Sequence, residues 1–190
     1  MRFQETIIRG VFVVDLDSKD DDRGFFARAF CAQEFASLGL NPRVAQANIS
    51  FTAKKGALRG MHYQLPPASE AKFVRCVRGA ILDVVIDMRE QSPTYLRHVA
   101  VELSADNHRA IYLPEMVAHG NQTLTDNVEL FYLVSEPYTP GYERGVRYDD
   151  PAIGIRWPLP VTVISKKDVD WPLLDSRLKV SPPTAQVRSA

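Results

Sequence analysis

A mainly β chain, folded as a sandwich or barrel, is what this sequence predicts, and three observations predict it. Short apolar runs recur along the 190-residue chain, separated by turn clusters at about the spacing of such folds. Thirteen prolines and ten glycines are spread through it, as many short strands require. Only Ala32 to Leu38, with Gly39 as its stop, reads as a helix. The length suits one sizeable domain, expected over residues 1–175, with 176–190 as a flexible tail.

The elements follow in order. Ile7 to Asp15 is apolar enough for one strand or a pair, and an acidic loop from Asp17 to Asp22 follows, closed by Arg23-Gly24. Phe25 to Phe30 returns as strand, and after the short helix Val44 to Thr52 is strand again. Lys54-Lys55-Gly56 is a turn. The block from Ala57 to Asp87 reads as two or three strands, broken at Pro66-Pro67 and at Gly79. Arg97 to Leu103, Ala110 to Leu113, Asn127 to Ser135 and Gly145 to Tyr148 are the later strands. From Pro158 onward proline and charge dominate.

The central block carries ionisable groups inside apolar runs: Arg59, His62, Lys72 and Asp83. Each points either to water or into the fold, because successive strand residues face opposite ways. Arg59 and His62 are an odd number apart, so a regular strand separates them onto two faces. Gly60 between them is where a bulge would re-aim one. Periodicity alone leaves both placements open.

Composition removes several classes of function. Lys plus Arg equals Asp plus Glu, 23 each, which leaves no net field to draw nucleic acid or an acidic membrane. No stretch approaches 18 apolar residues and the N-terminus has no apolar core of a leader, so the expectation is a cytoplasmic protein. Cys31 and Cys76 make no disulfide framework, and Cys76 reads as a buried thiol. Neither of the glycine-rich phosphate motifs is present, nor CxxC, HExxH or a Gly-x-Ser-x-Gly elbow. His62 and His119 with an acid would be the best metal set, but Tyr63-Gln64 follows His62 where a second histidine would be wanted. Proton chemistry remains, with His62, His119, Lys72, Tyr132 and Asp168 as its carriers. Taken singly, Tyr132 also reads as a packed core ring and Asp168 as a helix cap or surface charge.

Taken together, the motifs have a familiar order. Arg59-Gly-Met-His62-Tyr-Gln, Lys72-Phe-Val-Arg-Cys-Val-Arg-Gly, Leu82-Asp83-Val, Ser92-Pro-Thr, Ala118-His119-Gly120 and Tyr138-x-Pro are followed by Asp149-Asp150-Pro151, Ile155-x-Trp157-Pro158 and Ser165-x-Lys167-Asp168. From about residue 7 to residue 174 the chain closely resembles the dTDP-4-dehydrorhamnose 3,5-epimerase family of rhamnose and other deoxysugar pathways. The resemblance implies a cupin-type β jelly roll, a homodimer, a nucleotide-sugar substrate, no metal and no cofactor.

It also implies roles. His62 is the general base, Asp168 orients and charges its imidazole, and Tyr132 is the acid on the opposite face of the sugar. Lys72, helped by His119, holds the enolate oxygen, and Asp83 pairs within the pocket. Arg23, Gln46, Asn48, Arg59, Glu143 and Lys167 match positions that bind the nucleotide sugar, and Tyr138 stacks on the base. Arg23 would serve the ligand of a neighbouring subunit, closed over by an N-terminal strand. The chemistry is consistent: a 4-keto group acidifies the hydrogens on C3 and C5, and a lysine ammonium stabilises charge that appears only in the transition state. Two residues depart from the family pattern, Arg28 where an acid is usual and Asn121 where Phe is usual. Both are expected in or near the substrate-binding region, where they bear on substrate selection and not on proton transfer.

Three other readings compete. A sugar-nucleotide ketoisomerase on the same shell has no evident use for His62, Asp168 and Tyr132 together. A module that only binds nucleotide sugars needs neither acid nor base. A metal-dependent cupin oxygenase would declare itself by elemental analysis.

Overall fold

Residues 1–174 are described by the computed structural model; the tail expected over 176–190 lies outside them. The strands are β1 (Arg2–Glu5), β2 (Phe12–Asp15), β3 (Ser18–Asp21), β4 (Gly24–Ala27), β5 (Gln46–Thr52), β6 (Ala57–Gln64), β7 (Lys72–Arg78), β8 (Ala80–Asp87), β9 (His98–Ser104), β10 (Ala110–Leu113), β11 (Val117–Thr123), β12 (Val128–Val134), β13 (Glu143–Gly145) and β14 (Val163–Ile164). Two short helices are α1 (Ala32–Ser37) and α2 (Lys166–Val169).

Antiparallel pairing makes two larger sheets, ordered β1-β2-β10-β7-β12-β5 and β13-β6-β11-β8-β9, with β14 added parallel to β6. The long central run from β5 to β12 pairs its first strand with its last, β5 with β12. It then pairs β6 with β11, β7 with β10 and β8 with β9. That nesting is a ribbon rolled up lengthwise, the jelly roll of cupin-type folds. Its inward apolar residues, among them Val74, Cys76, Val85, Val99, Val101 and Leu130, form the core between the sheets. Each such residue stabilises the fold by about 1.5–3 kcal/mol when fully buried. Burial also pushes the Cys76 thiol up to about 11, so it is inert packing.

Several elements differ from expectation. β11 was hidden in the sequence because His119, Asn121, Gln122 and Thr123 break its apolar pattern, although Asn121, Gln122 and Thr123 are buried. The acidic stretch 17–22 is largely strand: β3 pairs only with β4 among the described residues, and its four residues are all exposed, so the carboxylates stay hydrated. The strand expected over 145–148 lies at Glu143–Gly145 instead, held by β6. Among the described residues no helix is long and apolar enough to cross a membrane.

Candidate active site

Inward parity delivers three of the site's walls. On β5, Gln46, Asn48, Ser50 and Thr52 share the cavity face, while Ile49 and Phe51 turn outward and stay exposed. β7 contributes Lys72 and Val74, and β12 contributes Leu130 and Tyr132, which lies between Asn48 and Val74 in register. Val74 and Leu130 belong to the core and to the cavity wall at once, so the cavity begins where the apolar packing stops. Its main part encloses about 490 Å³, with an adjoining part of about 200 Å³ that shares His62, Lys72 and Tyr132.

The facing sheet depends on a bulge. His62 pairs with His119, but Arg59 pairs with Asn121, so β6 has one residue more than β11 between these rungs. The extra residue places Arg59 on the same side as His62, and all four residues line the cavity. The backbones nearly touch there. A Cβ on Gly60 would lie 2.5 Å from Gly120 Cα, and Gly60 has φ +119°. Gly60→Ala is therefore expected to destabilise the protein by about 1–3 kcal/mol of backbone strain and about 1–3 kcal/mol of overpacking. Gly24→Ala carries the backbone strain alone, because Gly24 has φ +123° with nothing within 4 Å of its Cβ position. If urea midpoints fall equally in the two variants, the close approach at Gly60 carries no cost.

At the bulge an imidazole meets a buried carboxylate. His62 Nε2 lies 2.6 Å from Asp168 Oδ1, across 106 residues of sequence. Asp168 is set in the first turn of α2, whose N-cap Ser165 accepts from the Asp168 backbone N–H. The Gly60 N–H donates to the other carboxylate oxygen at 3.4 Å. Burial alone would push Asp168 up, but the hydrogen bond and charge of His62, with Ser165 and Gly60, hold it below its ordinary value. An ionised carboxylate accepts only, so in the neutral imidazole the proton sits on Nε2 and the lone pair on Nδ1.

A second imidazole–carboxylate pair stands next to the first. His119 Nδ1 lies 3.4 Å from both oxygens of Asp83, which is fully buried on β8 behind it. Lys72 Nζ is 3.0 Å from Glu70, and both side chains are mostly buried. Burial, then the Glu70 charge, raises the Tyr132 hydroxyl, with Arg59 opposing, so the phenol stays protonated. Lys167 is ion-paired with Glu143, which also accepts from the Tyr138 hydroxyl at 3.3 Å, and the Lys167 ammonium lies 6.0 Å from the Tyr138 ring centre. Arg59 donates to Thr52 Oγ1 and to the Phe51 carbonyl, which fixes its guanidinium at the wall.

Of the fifteen residues singled out in the sequence, twelve therefore line the cavity, and Asp83 backs it through His119. Arg23 and Arg28 do not. Arg23 sits on the exposed β3–β4 ribbon paired with Asp21, and Arg28 lies 3.7 Å from Glu34. Sequence reasoning missed Glu70, Ser50 and Thr52. The last two were legible from Gln46 and Asn48, since all four share one strand parity. Among the described residues no group of three or more His, Cys, Asp or Glu is arranged to hold a metal ion.

Fold and site together define a jelly-roll sandwich whose sheets enclose a cavity lined by imidazole, carboxylate, ammonium and phenol groups. The family model described as dTDP-4-dehydrorhamnose 3,5-epimerase matches residues 5–176. A dTDP-4-dehydrorhamnose 3,5-epimerase of Sinorhizobium fredii is 40% identical over 175 residues, covering 92% of this chain and 90% of that protein. The crystal structure of the Bacillus anthracis enzyme with TDP and pyrophosphate bound superposes with a TM-score of 0.87 at 35% identity, covering 91% of this chain and 99% of that one. The Legionella pneumophila enzyme, in complex with dTDP-4-keto-L-rhamnose, gives 0.84 at 34% identity, over 90% and 92% of the two chains. The chain belongs to the dTDP-4-dehydrorhamnose 3,5-epimerase family.

Proposed function

We propose that the protein epimerises a nucleotide-linked 4-keto-6-deoxyhexose at C3 and C5, as in the conversion of dTDP-4-dehydro-6-deoxyglucose to dTDP-4-dehydrorhamnose. The observation that carries this reading is a two-sided set of proton carriers. His62 comes from one sheet, backed by Asp168 of α2, and Tyr132 with Lys72 from the other, around one cavity.

His62 Nδ1 takes the proton from C3 or C5, and the electron pair moves onto the C4 oxygen as an enolate. Asp168 stabilises the imidazolium that forms. The Lys72 ammonium, helped by His119, meets the developing oxyanion, so its contribution grows toward the transition state. Tyr132 gives its hydroxyl proton to the opposite face of the carbon, which inverts it, and the phenolate and imidazolium then re-equilibrate with water. Gln46, Asn48, Arg59, Tyr138, Glu143 and Lys167 take the nucleotide sugar, with Tyr138 stacking on the base and Lys167 near the diphosphate charge. Asn121, buried beside Arg59, shapes the same end of the cavity. The TDP and dTDP-sugar bound to the relatives favour a thymidine nucleotide here. Turnover of dTDP-, CDP- and GDP-linked 4-keto-6-deoxyglucose tests this, with the dTDP sugar expected to have the highest kcat/KM. A higher value for either other nucleotide contradicts it.

A second copy of the chain completes the site in this reading. The outer face of β5 and β12 exposes Ile49, Phe51 and Phe131, and the β3–β4 ribbon exposes Phe25 and Phe26, an apolar surface unusual for a monomer. β5 is also an open sheet edge, which pairing across a two-fold axis would cover. Arg23 and Arg28, remote from their own cavity, would then reach the partner's ligand. Light scattering should give a dimer at micromolar concentration; a fully active monomer rules the arrangement out. Cytoplasmic residence is part of the same reading.

A further inference from the structure

We propose that Trp171 is a positioning residue for the His62–Asp168 pair, walling the imidazole so that its free nitrogen stays aimed at substrate. The inference rests on the acid–base reading of His62, and names a residue for which that reading has no role. Trp171 follows Asp168 by three residues, just past the end of α2. Its ring lies edge-on to His62, with centroids 6.4 Å apart and planes at 63°. The space it fills has been cleared on β13. Gly145 pairs with His62 in register, and a Cβ on Gly145 would lie 2.2 Å from the indole Cε2. No positive φ demands glycine there, so the missing side chain serves the indole alone.

The wall has a physical consequence. Two-point support, Asp168 at Nε2 and the indole edge at the ring, leaves the imidazole little freedom to turn. The 2.6 Å hydrogen bond is also poorly reached by water, since the Asp168 side chain is 5% exposed. The indole's own N–H is buried without an acceptor among the described residues. Hydrogen bonding is thus not what the ring contributes, and a phenyl ring should do its work.

The test uses the full chain and begins without substrate, so its outcome is independent of the assigned reaction. In proton NMR the His62 Nε2–H, hydrogen-bonded to a carboxylate, should give a protected low-field signal that His62→Asn removes. Trp171→Phe should retain it, whereas Trp171→Ala should broaden it into solvent exchange. Gly145→Ala, which displaces the indole and leaves Trp171 intact, should do the same and carries the test if Trp171→Ala fails to fold. With substrate, both disruptive variants should lower kcat by about 10- to 100-fold, the order expected for misplacement of a catalytic group. KM should stay within about twofold, because Trp171 is outside the cavity lining. The proposal is overturned if the disruptive variants keep the signal and kcat, if Trp171→Phe loses as much as Trp171→Ala, or if the loss falls on KM alone.

Discussion

His62→Asn is expected to abolish hydrogen exchange and inversion together, with kcat lower by ~10²–10⁴-fold, the usual contribution of a positioned base. The amide occupies nearly the same volume and can still donate to Asp168, so the fold and the buried carboxylate keep their partner. What it lacks is a lone pair able to take a proton near neutral pH. Nothing else in the cavity replaces it: His119 is engaged by the buried Asp83, and Lys72 by Glu70. The measurement is NMR of the sugar in heavy water, following the C3 and C5 hydrogens. Exchange persisting within about twofold of the native rate would remove His62 from the role of base.

Tyr132→Phe separates the two halves of the reaction. His62 still abstracts the proton and can return it, or a deuteron, to the same face, so label enters the substrate while inversion falls by ~10²–10⁴-fold. The pH dependence follows from the site. Burial and the Glu70 carboxylate raise the Tyr132 hydroxyl above its ordinary value near 10, so the acid form persists through neutral and mildly alkaline solution. Activity limited by Tyr132 should decline only above that pH. Glu70→Gln should bring the decline to lower pH, since removing a negative charge eases formation of the phenolate. Inversion at the native rate in Tyr132→Phe would return this ring to the core, against which it also packs.

Much of this was legible before folding, and the rest was hidden for identifiable reasons. Turn residues and alternation gave the all-β class and placed β5 to β10 and β12 closely. β11 escaped because a buried strand that lines a polar cavity need not look apolar. Parity could not decide whether Arg59 and His62 share a face; only the bulge at Gly60 does, through a backbone approach that no propensity encodes. The His62–Asp168 pair was reachable through the family resemblance alone, because nothing local marks two residues 106 apart as neighbours. Glu70 follows the proline turn with no pattern to mark it, yet it is mostly buried against Lys72. Arg23 and Arg28 illustrate a different limit. A motif can assign a residue to a ligand, but one chain cannot bring it there if the ligand belongs to a second copy.

The account's central claim is that inversion proceeds by removing a proton on one face and delivering a solvent-derived proton to the other. Its most direct test is the native protein with dTDP-4-keto-6-deoxyglucose in heavy water, read by NMR at C3 and C5 of the product. The account predicts one deuterium at each inverted centre, with inversion never outrunning incorporation. Inverted centres that retain their original hydrogens would contradict it.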